Sequence, residues 1–188
     1  MTGLRVHFVH DPETVDIEGP TINRLAVGLV ADGERVACVL DPQSRDVLPS
    51  LAGVDRREVP FRVPPWRRGV RRALLGALSE RRPPDVVVAR GRPSWPVAAE
   101  LAELHGAPLA IECWVVEAIA PLARFARRHP ELTAIAPTEA MAGMLRERLG
   151  EERVRLVPVG VPVPATPASV LDRPDDAIAV AFLGPVTA

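Results

Sequence analysis

Lysine and tyrosine are absent from the 188 residues, and only two cysteines occur, Cys38 and Cys113. All 23 basic residues are therefore arginine. Without lysine there is no Schiff-base catalysis, no covalent pyridoxal phosphate and no lysine-bearing phosphate loop. A phosphoacceptor receiver domain, which shares alternating α/β character, also normally uses a lysine. The two cysteines each lie inside an apolar stretch and read as reduced, buried thiols of a cytoplasmic protein. No apolar run approaches the ~20 residues that a membrane-spanning helix needs. The opening MTGLRVHFVHDPE has no charged-then-apolar leader, so secretion is not expected.

What is present is globular. Hydrophobic residues make up 47% and charged residues 25%, a balance that argues against general disorder. A chain of this length buries roughly 70% of the surface that its unfolded form exposes, so it needs no staple. Proline is abundant, at 21 residues, and concentrates toward the end.

The net charge of −1 conceals an asymmetry. Residues 56–92 carry eleven Arg against Glu58, Glu80 and Asp85, a net of +8, and the rest of the chain is −9. Such segregation favours an anionic partner. The plainer reading is that Arg67, Arg68, Arg71 and Arg72 form the wet face of a helix whose Val70, Leu74, Leu75 and Leu78 face the core. Trp66 beside those arginines allows a weak contact with an anionic membrane at its inner face. Nucleic acid is not expected, because the segment interleaves no aromatics beyond Phe61 and Trp66 and shows no helix-turn-helix or zinc-finger spacing.

Short β-like runs alternate with helical spacing. Strands are expected at 4–10, 36–40, 59–63, 85–89, 109–113, 133–136 and 154–157, and helices at 21–31, from Pro65 to about Arg82, 96–105, 117–128, and from Thr138 to Gly150. This alternation predicts a doubly wound, Rossmann-like α/β domain: a parallel sheet with helices on both faces. The domain is expected over 1–157, with a Pro-rich linker over 158–177. Residues 178–188 would begin a second, C-terminal domain whose first strand is Ile178–Leu183.

In open parallel sheets, ligands bind beyond the carboxyl ends of the strands. That rule selects five places: His10 and Asp11 through Gly19 and Pro20, Arg90 with Gly91, Glu112 through Trp114, Thr138 with Glu139, and Gly160. His7 and His10 face opposite sides of one strand, so no metal site is expected there. Glu112 closes an apolar strand and needs a partner. Thr138 is most economically a helix cap. No GxGxxG follows the first strand and no GxSxG occurs, which removes the usual dinucleotide and hydrolase signatures.

Taken in order, the segments resemble the N-terminal domain of GT-B glycosyltransferases, particularly the retaining family-four type. The resemblance runs through Gly19-Pro20 and NRLAVGLVADGERVACVL, then DVVVARG, HGAPLAIECW, AIAPTEAM and VRLVPVGVPV, and ends in IAVAFLG. It implies an acceptor-binding half that needs a C-terminal donor domain, in this or another chain, and is inactive alone. No cofactor is implied beyond a nucleotide-sugar co-substrate held mainly by the other half. Residues His10 to Asn23 would border a sugar or lipid-linked acceptor. Arg90, Trp114, Thr138 and Glu139 would line the cleft, and Gly184 would meet donor phosphate. Three positions depart from the family pattern: Pro20 replaces the second Gly of a pair, Trp114 stands at a usual histidine, and Pro185 at a usual arginine. The loss of the histidine favours the alternative of a non-catalytic module that binds a glycan, an anion or a partner protein, whereas the linker and the strand that follows it favour the glycosyltransferase.

Overall fold

The computed structural model describes residues 3–11, 25–44, 52–78 and 83–158. Gly19, Pro20, Asn23, Gly160, Gly184, nearly all of the expected linker and the expected start of a second domain lie outside the described residues.

Seven strands build the sheet: β1 Arg5–His10, β2 Arg35–Leu40, β3 Val54–Glu58, β4 Val86–Arg90, β5 Leu109–Glu112, β6 Thr133–Ala136 and β7 Val154–Leu156. They lie in the order β3-β2-β1-β4-β5-β6-β7 and all pair in parallel. The central strands read RVHFVH, RVACVL and VVVAR, near-continuous apolar runs suited to burial on both faces. The helices are α1 over 25–31, α2 Arg68–Ala77, α3 Trp95–His105, α4 Ile119–Ala126 and α5 Glu139–Leu149.

Two cores flank the sheet. Ala26, Leu29 and Val30 of α1 pack with Val6, Phe8, Cys38 and Leu40 on one face. Helices α2 to α5 supply Leu75, Leu101, Leu122 and Leu145 to a larger core with Val9, Val39, Val87 and Ile111 on the other. The molecule is thus a Rossmann-like α/β fold with helices on both faces. The chain runs outward from β1 through β2 to β3, then returns to β4 and runs the other way. The reversal puts a crevice at the carboxyl ends of β1 and β4, where doubly wound sheets receive ligands.

Two expectations are corrected. The third strand is Val54–Glu58, not 59–63. Its sequence, VDRRE, is polar because it is an edge strand, where charged side chains block further pairing. Val59 and Phe61 are buried beyond its end, and Pro60 between them has no N–H for a ladder. Helix α2, in turn, packs chiefly on α3 and not flat on a strand. It buries only Leu75. Leu78 sits at the margin of the core, and Val70 and Leu74 remain in solvent.

Candidate functional site

Strand register sets the site. His10 pairs with Arg90 across β1 and β4, and Arg90 pairs with Glu112 across β4 and β5. Paired residues of parallel strands share a face, so the three side chains form a row on the α1 face, at the carboxyl edge of the sheet. Asp11 follows directly and is buried, at 1% exposure.

The row is tied together by charge. Arg90 donates from Nε to Oε2 of Glu112, a nearly buried ion pair. The same carboxylate oxygen accepts from Trp114 Nε1 at 3.1 Å. The Arg90 guanidinium carbon lies 4.7 Å from the Trp114 ring centroid, a cation–π contact. Below it, the buried Ser94 hydroxyl donates toward the carbonyls of Arg90 and Gly91, at 2.9 and 2.8 Å. Gly91 adopts φ 79°, a left-handed turn that suits glycine and lets the chain leave β4 sharply. Glu112 thus has the partner that a carboxylate at a strand end requires, and Arg90 is positioned from three directions.

His10 differs from its neighbours. It is 1% exposed and stacks on Phe8, with ring centroids 5.7 Å apart. Neither Nδ1 nor Nε2 has a hydrogen-bond partner among the described residues. Burial, assisted by the positive Arg90, lowers its pKa to about 3. At neutral pH the ring is therefore uncharged, with one nitrogen donating and the other accepting. A buried polar group left open in this way at a strand-end crevice is a candidate ligand contact. With so low a pKa the ring is a weak base, able to hydrogen-bond a neutral group. His7 points to the opposite face, into the side of the sheet covered by α2 and α3.

Thr138 and Glu139 share the sheet edge but direct their side chains elsewhere. The Thr138 hydroxyl accepts from Met141 N at 3.3 Å and caps α5. Glu139 pairs with Arg146 at 2.7 Å and is largely exposed. The structure therefore brings together His10, Asp11, Arg90, Glu112 and Trp114, and leaves Thr138 and Glu139 outside that cluster. Sequence reasoning weighed Arg90, Glu112 and Trp114 singly. The signal that unites them is register: Arg90 and Glu112 each close consecutive strands of an alternating pattern. Ser94, which holds the turn after Arg90, carried no signal in the sequence beyond its place after a strand-end Gly.

No family model matches the chain, and no curated protein matches it. Among solved structures, it is similar to a glycosyltransferase from Rickettsia africae ESF-5, with a TM-score of 0.62 at 13% identity. The likeness covers 86% of this chain and 44% of the Rickettsia chain. The molecule therefore has a glycosyltransferase-like fold and spans less than half the length of that neighbour.

Proposed function

We propose that this chain is the acceptor-binding half of a GT-B glycosyltransferase related to the retaining family-four type. The reaction moves a sugar from a nucleotide-sugar to an acceptor hydroxyl. The bond from the anomeric carbon to the diphosphate oxygen breaks, a bond to the acceptor oxygen forms, the acceptor gives up its proton, and the nucleoside diphosphate leaves. A C-terminal half would hold the donor.

The observation that carries this reading is His10, buried and uncharged with both ring nitrogens open, at the crevice where the strand order reverses. A neutral donor–acceptor pair suits a sugar hydroxyl, which both donates and accepts. Charged ligands would gain little from it. Val115 and Val116, each 55% exposed beside the cluster, give the edge an apolar rim suited to a covering half. A second reading, a non-catalytic glycan- or anion-binding module, is favoured by Trp114. Its indole is committed to Glu112 and Arg90, and it offers no base where the family usually has a histidine.

A thermal-shift panel of UDP-, GDP- and ADP-sugars, phosphosugars and free glycans tests the proposal. A ligand at 100 times its dissociation constant adds about 2.7 kcal/mol. Acceptor-like compounds are expected to stabilise the chain, and the His10→Gln variant is expected to lose that gain. Stabilisation by a nucleotide-sugar alone would place the donor site here and overturn the division of labour. His10 is a better probe than Glu112, because removing Glu112 takes away the ion-pair partner of the buried Arg90 and would disturb the fold.

A further inference from the structure

A second cavity lies on the other face of the sheet from His10 and at its other edge. It holds about 550 Å³ and is walled by residues near the amino ends of β1, β2 and β3 and by Ala77 and Leu78, where α2 closes. Helix α2 packs chiefly on α3 and does not fill the space over these strands. Arg5 pairs with Arg35 in register, and His7 with Ala37, which pairs in turn with Asp55. Alternation along each strand puts these residues on the same face as Val9 and Val39, the side of the larger core. Arg57, two residues after Asp55, shares that face. Ala37, the small member of its row, leaves room between His7 and Asp55.

Two features point to a ligand. His7 is 3% exposed, and its Nδ1 has no hydrogen-bond partner among the described residues. Burial, assisted by Arg5, lowers its pKa to about 4, so at pH 7 the ring is neutral and has one nitrogen-bound proton to donate. The second feature is charge. The guanidinium groups of Arg5, Arg35 and Arg57 meet the carboxylates of Glu34 and Asp55 around the cavity. Asp55 is taken by Arg57 Nε, at 3.1 and 3.2 Å from its two oxygens. Arg35 makes no ion pair among the described residues. It stands beside Arg5 on strands about 4.8 Å apart, where like charges repel.

We propose that this cavity binds a small phosphomonoester. Its phosphate would lie between Arg5 and Arg35, offset their repulsion and accept the His7 ring proton; guanidinium groups suit such a dianion. Phosphate alone leaves most of the space unfilled, since cavities that hold small organic ligands run to roughly 300–1,000 Å³. Glu34 Oε2, also without a hydrogen-bond partner among the described residues, would accept from a hydroxyl of the organic group. The two carboxylates repel an extended polyanion such as a nucleic-acid strand. This site goes beyond the acceptor-half reading and does not depend on it.

Isothermal titration with glycerol 3-phosphate tests the proposal. Glycerol 3-phosphate should bind saturably, inorganic phosphate more weakly, and glycerol not at all. Arg35→Gln should weaken binding roughly tenfold, the loss of one charged hydrogen bond. Its urea midpoint without ligand should not fall, because the variant removes a like-charge contact. His10→Gln should bind as the parent chain does, and in both chains nitrogen NMR should show one buried neutral histidine ring respond to glycerol 3-phosphate. No saturable binding, full binding by Arg35→Gln, or binding lost in His10→Gln overturns the proposal; the last places the phosphoester in the crevice at the other edge. Equal affinity for inorganic phosphate overturns the choice of a phosphomonoester. Binding of glycerol 3-phosphate without stabilisation by any glycan supports this site and removes the acceptor reading; the reverse result removes this site alone.

Discussion

His10 shows how the burial of one ring bears on stability. Its pKa near 3, against an ordinary value of 6.5, arises first from burial and then from Arg90. Between those values the unfolded chain binds the proton and the folded chain does not. Stability is therefore fully present above pH 6.5 and falls as the pH drops toward 3, by up to about 1.4 kcal/mol per pH unit. His7, lowered to about 4 by burial on the opposite face, adds a second contribution of the same sign. Urea denaturation at pH 7 and pH 5 should show a loss from His10 of about 2 kcal/mol, absent in His10→Gln. An equal loss in the variant would mean that the ring is not held neutral in the fold. The sequence marked His10 by its position at a strand end. It did not reveal that both nitrogens would be open, since that depends on Phe8 and Arg90 enclosing the ring from two strands.

At the scale of elements, legibility followed the strength of local signals. Helix α5 was readable from both ends: Thr138 caps it and Gly150 ends it, at φ 95°. Replacing Thr138 by Ala should cost about 1 kcal/mol, with Ser retaining most of the stability. The shift in urea midpoint measures it, and an unchanged midpoint would show that the bond to Met141 N adds nothing. Helix α3 ends in the same legible way, where Gly106 at φ 62° lets Ala107 N close on Ala102 O at 2.9 Å. The misread strand had the opposite character. Val59 and Phe61 look like strand residues because they are buried, yet their burial comes from packing beyond the strand end. The true strand hides behind Asp55, Arg56, Arg57 and Glu58, because an edge exposes what a central strand buries. In α2, spacing alone could not choose between a core and an exposed face. Only its packing on α3 shows that Val70 and Leu74 point outward.

The whole molecule is organised about one edge of its sheet. The reversal between β1 and β4 creates a crevice there, and the ion pair of Arg90 and Glu112 stiffens its wall. Among the described residues, no helix is long and apolar enough to cross a membrane. The chain spans 44% of the length of the Rickettsia glycosyltransferase to which its fold is similar. The most direct test observes the His10 ring itself, by nitrogen NMR of the histidine side chains at pH 7, with His10→Gln identifying its signals among the four histidines. The account predicts a neutral ring whose two nitrogen signals both move when an acceptor-like glycan is added. A charged ring, or signals that respond to a nucleotide-sugar and to no glycan, would contradict it.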